Sequence, residues 1–505
     1  MLFPLSKLDN GTDRIATVSC FLFALAPSLD QKGRDALVDR IKEAAQRVVK
    51  KWRLLQGTPE WTKDGVWAIR VPDEDDEQHL KSSPLGFSTA THDQPYHLAA
   101  GLPAPLSPLS SAPSAVLSDI DLPLYRPSSL PCPLSGHVKH AFPLVHIHLS
   151  LFPDAIVVGI SVPHAVLDGT GLGLLTRALT AELHSKEWEA PPLPEDGTNP
   201  LTCGLDRLEA DEAVSAEAKE HPPPSLAAGA APMSFLLVLV LALASFCEVY
   251  CWKSREGRVF LRDEDVGRLV KETKEEVKKE TEGREYVSTG DVISAFLLKA
   301  FHSDESTTSD HASAVAVYSA RSLLDAHSPS PPSLSLYPSN ATFPYQSLLP
   351  LPLTTLSSTS LAALALIFRR NLLQHKILPS LQARSRETRT SRIPVPIRDW
   401  PQLPSFLSSL SSLFPWWKTP HTHRWVHSNQ LGLGVADLSL PNPGEEGTDL
   451  PLLRYHFTSA FALPLDHLIM FQEVPGGVMV QVYARESRWK AMEKAVEKLR
   501  QGGRF

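Results

Sequence analysis

The sequence predicts a mixed, two-layer α/β protein made of two halves, and three observations carry this. A pair of apolar stretches, LVHIHLSLF then AIVVGIS, leads into an amphipathic helical pattern. A second strand-then-helix pattern, GGVMVQVYA followed by a stripe of Trp489, Met492, Val496 and Leu499, lies near the C-terminal end. Between them, 189–232 is rich in Pro, Ala and Glu, the composition of a long crossover linker. The halves are accordingly expected at 1–188 and 255–505, with 189–254 as the crossover.

Each element has its own local reason. QKGRDALVDRIKEAAQRVVKKWRLL, 31–55, puts Leu37, Ile41, Ala44 and Val48 on one helical face. The Pro-, Ser- and Leu-rich stretch 99–135 lacks periodicity and reads as a long irregular loop. In the first strand Val145, Ile147, Leu149 and Leu151 face one way and His146, His148 and Ser150 the other. Asp154 marks a turn, AIVVGIS reads as a fully buried strand, and Leu172, Leu175, Leu179 and Leu183 then step by three and four along a helix. Asp263 is the expected cap of a charged helix striped with Val266, Leu269, Val270 and Val277. Ser288 and Asp291 have the spacing of a capping box before another apolar helix. Residues 326–360 are again Ser-, Pro- and Leu-rich.

Composition narrows the class. The 505 residues suit two or three domains, and 43% hydrophobic with 21% charged residues suits a globular core. A net charge of −7 gives no reason to expect nucleic-acid binding. Cys20, Cys132, Cys203, Cys247 and Cys251 are scattered and form no metal knuckle, which points to a reducing, cytoplasmic setting. Lys7, Asp9, Asp13 and Arg14 precede any apolar run, against a signal peptide. The uncharged segment 233–247, MSFLLVLVLALASFC, is shorter than the roughly 20 residues that span a bilayer. A packed helix, a membrane-surface anchor and a span are its three readings.

The chemistry centres on SVPHAVLDGTGLG, where His164 and Asp168 form H-x-x-x-D-G in the turn between the buried strand and the helix. Roughly one chain of this length in twenty would hold that pattern by chance, so context must decide its meaning. Gly169 and Gly171 would let the backbone turn tightly there.

Other fragments supply the context. LFPLSKLDN is similar to the "LSxLD" opening of the BAHD-type acyl-CoA-dependent acyltransferases, and in particular of their divergent fungal members. KKWRLLQG resembles that family's helix ending in "P-x-x-x-GR", though Gln-Gly-Thr stands where Gly-Arg is usual. H-x-x-x-D-G is its signature. VSTGDVISAFLLKAF resembles the opening of its second domain, and AVAVYSARSLL its "N-x-R" strand, with Arg321 as the arginine. YPSNA is similar to "Y-x-GN" with Ser339 for glycine, and GVADLS to the "DFG" motif, with Leu438 and Ser439 after Asp437. PGGVMVQVYARESRWKAME resembles the final strand and helix, so the likeness runs across nearly the whole chain.

The resemblance implies two chloramphenicol-acetyltransferase-like domains joined by a long crossover, with an active-site channel at their interface. It implies acyl-CoA as co-substrate, an alcohol or amine of specialised metabolism as acceptor, no permanently bound cofactor and a monomer. His164 would be the general base, a role that suits an imidazole of pKa about 6.5. Asp168 would turn from the acceptor and pair with Arg321 to hold the loop. Asp437 would brace the channel, and Ser428 or Asn429 would supply the donor for the tetrahedral oxyanion. His164 and Arg321 must meet in one channel, yet 233–247 lies between them in sequence, so a single span there is incompatible with catalysis.

Competing readings are weighed beside these. His146 and His148 share a strand face and could ligate a metal, but no third ligand is evident. GISVP is not a nucleophile elbow, because proline stands where its last glycine belongs. Arg369, Arg370, His375 and Lys376 could meet a CoA phosphate or simply be a solvated helix face. For the whole chain, an inactive relative that only binds a ligand or partner is the alternative function. A peptide-synthetase condensation domain ranks last, since it uses two consecutive histidines and Pro163 precedes His164.

Overall fold

A computed structural model describes residues 1–26, 28–73, 84–102, 105–117, 122–220, 230–231, 250, 253–304, 310–327, 333–390, 395–396, 422–460 and 468–505. The apolar segment 233–247 lies outside the described residues. Among the described residues no helix is long and apolar enough to cross a membrane.

Two large sheets organise the molecule. One runs Leu452–Ala460, Ala16–Ala24, Ala155–Pro163, Val145–Leu151, Leu85–Thr91. The other runs Thr342–Pro352, His311–Ser319, Thr422–Asn429, Leu468–Val474, Gly477–Ala484, Arg255–Arg262, Ala115–Leu117. Each half lends the other a strand: Leu452–Ala460 pairs with Ala16–Ala24, and Ala115–Leu117 pairs with Arg255–Arg262. The two sheets are therefore stitched together at their edges as well as packed.

Each sheet carries helices on one face, which makes the two layers. Gln31–Lys51, capped by Asp30, and Gly169–Leu183 cover the first sheet. Leu172, Leu175, Leu179 and Leu183 are all buried there, each contributing about 1.5–3 kcal/mol of apolar transfer. Asp263–Glu280, Thr289–Phe301, Leu361–His375 and Glu486–Arg500 cover the second.

Several elements depart from the sequence reading. The expected linker contains two helices, Pro200–Ala210 and Glu212–Glu220. Asn199 caps the first and Pro200 opens it, while Leu201, Leu205 and Leu208 form a buried stripe that the Pro- and Ala-rich flanks obscured. The stretch 99–135 read as an irregular loop holds the edge strand Ala115–Leu117, and the helix Leu134–His140 begins at its end. The strand Thr342–Pro352 was hidden by Pro344, Pro350 and Pro352, which its edge position tolerates. Asp263 does not cap its helix: Arg262 is the cap residue, and Asp263, Glu264 and Asp265 sit in the first turn against the helix dipole.

Candidate active site

The buried strand Ala155–Pro163 ends at Pro163, paired with Ala16, and delivers His164 to the gap before the helix Gly169–Leu183. The backbone of His164 is held on both sides. Its N–H donates to Ile15 O at 2.8 Å, and its carbonyl accepts from Asn340 Nδ2 at 2.9 Å. The ring is partly buried, and its enclosed Nδ1 has no hydrogen-bond partner among the described residues. Burial pushes the imidazole pKa below its ordinary value, opposed by the ring's own backbone carbonyl and by Asp168. Burial thus favours the neutral imidazole.

Asp168 is fully engaged elsewhere. Its Oδ1 caps the helix by accepting from Thr170 N at 2.9 Å and Gly171 N at 3.1 Å, and its Oδ2 accepts from Arg321 Nη2 at 2.8 Å. Arg321, 5% exposed, also donates to Ser339 O, Tyr337 O and Ser319 Oγ. The ion pair joins the two halves of the chain.

The turn 337–340 is the hub of this region. Pro338 O accepts from Asp168 N at 3.0 Å, and Ser339 Oγ donates to Val166 O at 2.7 Å. Ser339, where the family motif has glycine, thus adds a bond to the loop between His164 and Asp168. Gly171 fits for a different reason from the one its place in a turn suggested. Neither it nor Gly169 has the positive φ that favours glycine, but a Cβ on Gly171 would lie 2.1 Å from Pro338 O.

Asp9, wholly buried, anchors the same hub. Its carboxylate accepts from Ser6 N, Tyr337 OH, Asn340 N and Asn340 Nδ2 at 2.7–3.1 Å. Burial raises its pKa to about 6, against the pull of those donors. Because the folded protein holds this proton more tightly than the unfolded chain, Asp9 favours folding at acid pH, and that contribution fades as pH rises through about 6. The stability of wild type relative to Asp9→Asn is expected to fall by about 2 kcal/mol between pH 4 and pH 7. Denaturant titrations at both pH values check this, and a flat difference would refute it.

Other expected residues sit differently. Asn429 Oδ1 accepts from Leu431 N at 3.0 Å, and its amide nitrogen packs against Gly290. Ser428 is partly buried on the same strand, Thr422–Asn429. The next residue, Gln430, is the one brought against Gly169, at the start of the helix after His164. It is 7% exposed, its amide lies beside Gly169, and its Oε1 has no partner among the described residues. Asp437 lies away from the interior: its carboxylate is 54% exposed, 3.9 Å from Arg177 on the outer side of the helix. What holds this loop is backbone, with Thr176, Arg177 and Thr180 donating to Gly434 O, Leu433 O and Asp437 O. Leu438 is buried in the first core, and Ser439 bonds Thr180 and Asp449, so both departures from the "DFG" motif are packed in place.

His146 and His148 are bridged by Ser88 Oγ at 2.9 and 2.7 Å, and burial holds His146 down at about 4. Among the described residues no group of three or more His, Cys, Asp or Glu could hold a metal. Arg370 pairs with Glu285, Arg369 stacks over Tyr286, and His375 is buried.

The structural roles of Asp9, Tyr337, Ser339 and Asn340 escaped the sequence reading, although LSKLDN and YPSNA were both singled out in it. Nothing local to either fragment says that they touch.

No family model matches the chain. The O-acetyltransferase PaAT-2 of Phomopsis amygdali is 23% identical over 359 residues, 68% of this chain and 68% of that protein. The O-acyltransferase pboC of Aspergillus ustus is 41% identical over 64 residues, 12% of this chain and only 14% of the length of that protein. In fold, the chain is similar to F. graminearum TRI101 complexed with coenzyme A and deoxynivalenol. The TM-score is 0.59 at 14% identity, over 97% of this chain and 96% of that one. The chain therefore has the fold of the BAHD-type acyltransferases, and its sequence sets it beside fungal O-acyltransferases.

Proposed function

We propose that the chain transfers an acyl group from acyl-CoA to a hydroxyl or amine of a specialised metabolite, within a ternary complex. The observation that carries this is the partly buried, backbone-clamped imidazole of His164, whose neighbouring carboxylate is committed to Arg321. His164 removes the acceptor's proton as the acceptor oxygen or nitrogen attacks the thioester carbonyl. The tetrahedral intermediate collapses by breaking the carbon–sulfur bond, and the imidazolium returns the proton to the departing CoA thiolate. Asp168 takes no proton in this scheme. Its ion pair with Arg321 fixes the loop that presents His164.

The negative oxygen of the intermediate needs a donor, and Gln430 is the better candidate than Ser428 or Asn429. Its amide nitrogen is the one packed beside Gly169, whereas Asn429 is spent on its own turn. Gln430→Ala is expected to lower kcat by about 10²-fold with little change in the KM for acyl-CoA. An unchanged kcat would remove Gln430 from the chemistry.

The test of the activity itself is acceptor-dependent release of CoA thiol from acetyl-CoA and longer acyl-CoAs, with the acylated product identified by mass spectrometry. Release without any acylated product, across a panel of fungal alcohols and amines, would refute the transfer.

A further inference from the structure

One cleft plays no part in holding the base, yet it is continuous with the segment that does. Asp13, Arg14, Trp61, Trp67, Pro133 and Ser135 line an open cavity of about 520 Å³, within the size range of small-molecule sites. Its aromatic wall is preformed. Trp61 and Trp67 are paired across the strands Thr58–Trp61 and Trp67–Arg70, with ring centroids 5.2 Å apart at 72°. Trp67 is 7% exposed and its indole N–H donates to Asp13 Oδ2 at 3.0 Å, which locks the plate. Trp61 is 57% exposed, a large apolar surface left facing water.

The polar side of the cleft is set by the same short stretch. Leu134 N donates to Asp13 O at 2.9 Å, fixing the wall that carries Pro133 and Ser135. Arg14 is exposed and makes no hydrogen bond or ion pair among the described residues. Ile15, the next residue, accepts the His164 N–H, and Ala16 pairs with Pro163. Arg14, Ile15 and Ala16 therefore run from the cleft to the backbone that carries His164.

Resting on the acyl-transfer reading, we infer that this cleft is the outer part of the acceptor site and takes a planar aromatic acceptor bearing an anionic group. The exposed indole offers a flat apolar face for the ring system. The guanidinium offers a planar, charged fork for a carboxylate or a similar anion. The nucleophilic hydroxyl then belongs at the opposite end of the acceptor, toward His164. A neutral acceptor would leave the unpaired guanidinium of Arg14 without a partner.

The test is calorimetric titration of the full chain with 6-hydroxy-2-naphthoate, without acyl-CoA, so that binding is read separately from catalysis. Trp61→Ala is expected to weaken binding about tenfold or more. Arg14→Gln is expected to weaken it about two- to fivefold, while leaving binding of neutral 2-naphthol as it was. Both side chains are exposed, so neither change endangers the fold. Equal affinity in wild type and Trp61→Ala, or no binding of the naphthoate to wild type, would overturn the assignment. Tight binding of a neutral glycoside that Arg14→Gln leaves unaffected would overturn it too. Binding that depends on Trp61 and Arg14, with no acyl transfer to the naphthoate, would uphold the cleft and count against the transferase reading instead.

Discussion

His164→Ala is expected to lower kcat/KM for acyl transfer by about 10²–10⁴-fold, the usual worth of a positioned general base. The imidazole is partly buried at the end of a strand and makes no side-chain hydrogen bond among the described residues, so the fold should survive its removal. Wild type and variant should accordingly unfold at similar denaturant concentrations, which separates chemistry from stability. The pH profile carries a second check. A base works only when deprotonated, so kcat/KM falls on the acid side. Because burial lowers the His164 pKa, that fall should be centred below about 6.5 and should vanish in the residual activity of the variant. Equal rates in wild type and variant would leave the imidazole without a chemical role.

Breaking the Asp168–Arg321 pair should have the largest effect on stability. Both side chains are almost fully buried, at 4% and 6% exposure, and the contact is 2.8 Å. Arg321→Ala strands a buried carboxylate and releases Tyr337 O and Ser339 O as well, which should cost about 3–5 kcal/mol. Arg321→Lys keeps the charge but loses the fork that reaches several acceptors at once, so it should be rescued only in part. The shift of the urea midpoint at constant slope measures both. A loss under about 1 kcal/mol for Arg321→Ala would mean that the pair is screened in solution and does not hold the halves together.

The two effects should also differ in kind. His164→Ala removes a reacting group and leaves the hub around residues 337–340 intact. Arg321→Ala loosens that hub, so its activity loss should grow with temperature as the loop that presents His164 frees itself. Measuring kcat for both variants between 10 and 35 °C distinguishes them, and parallel temperature dependences would argue against a loop-holding role for Arg321.

What could be read directly from the residues was whatever depends on local periodicity. The alternation in 145–151 placed Val145, Ile147 and Leu149 in the core, and the helix after Asp168 follows from leucines spaced three and four apart. Both capping signals near Ser288 were visible because a capping box is a four-residue device. His164 and Asp168 were legible as candidates because they sit in one strand-to-helix turn. Elements whose sequence is biased in composition were missed, such as the helix Pro200–Ala210 and the edge strand Thr342–Pro352. There prolines at permitted positions imitate loop composition.

The partners of the site lay beyond any local pattern. Asp9 and Asn340 are 331 residues apart and meet through hydrogen bonds of 2.7 and 3.1 Å. Asp168 and Arg321 are 153 apart. Only packing of the two sheets, locked by the strands they exchange, sets which backbone carbonyl faces which donor. That same packing left Asp437 at the surface and brought Gln430 beside Gly169, at the start of the helix that follows His164. Sequence periodicity determined the strands and helices with a clean apolar alternation or stripe, and the H-x-x-x-D-G turn marked His164 as the candidate base. Tertiary structure alone decided what holds the loop that carries His164, because buried polar groups must find partners wherever the chain brings them.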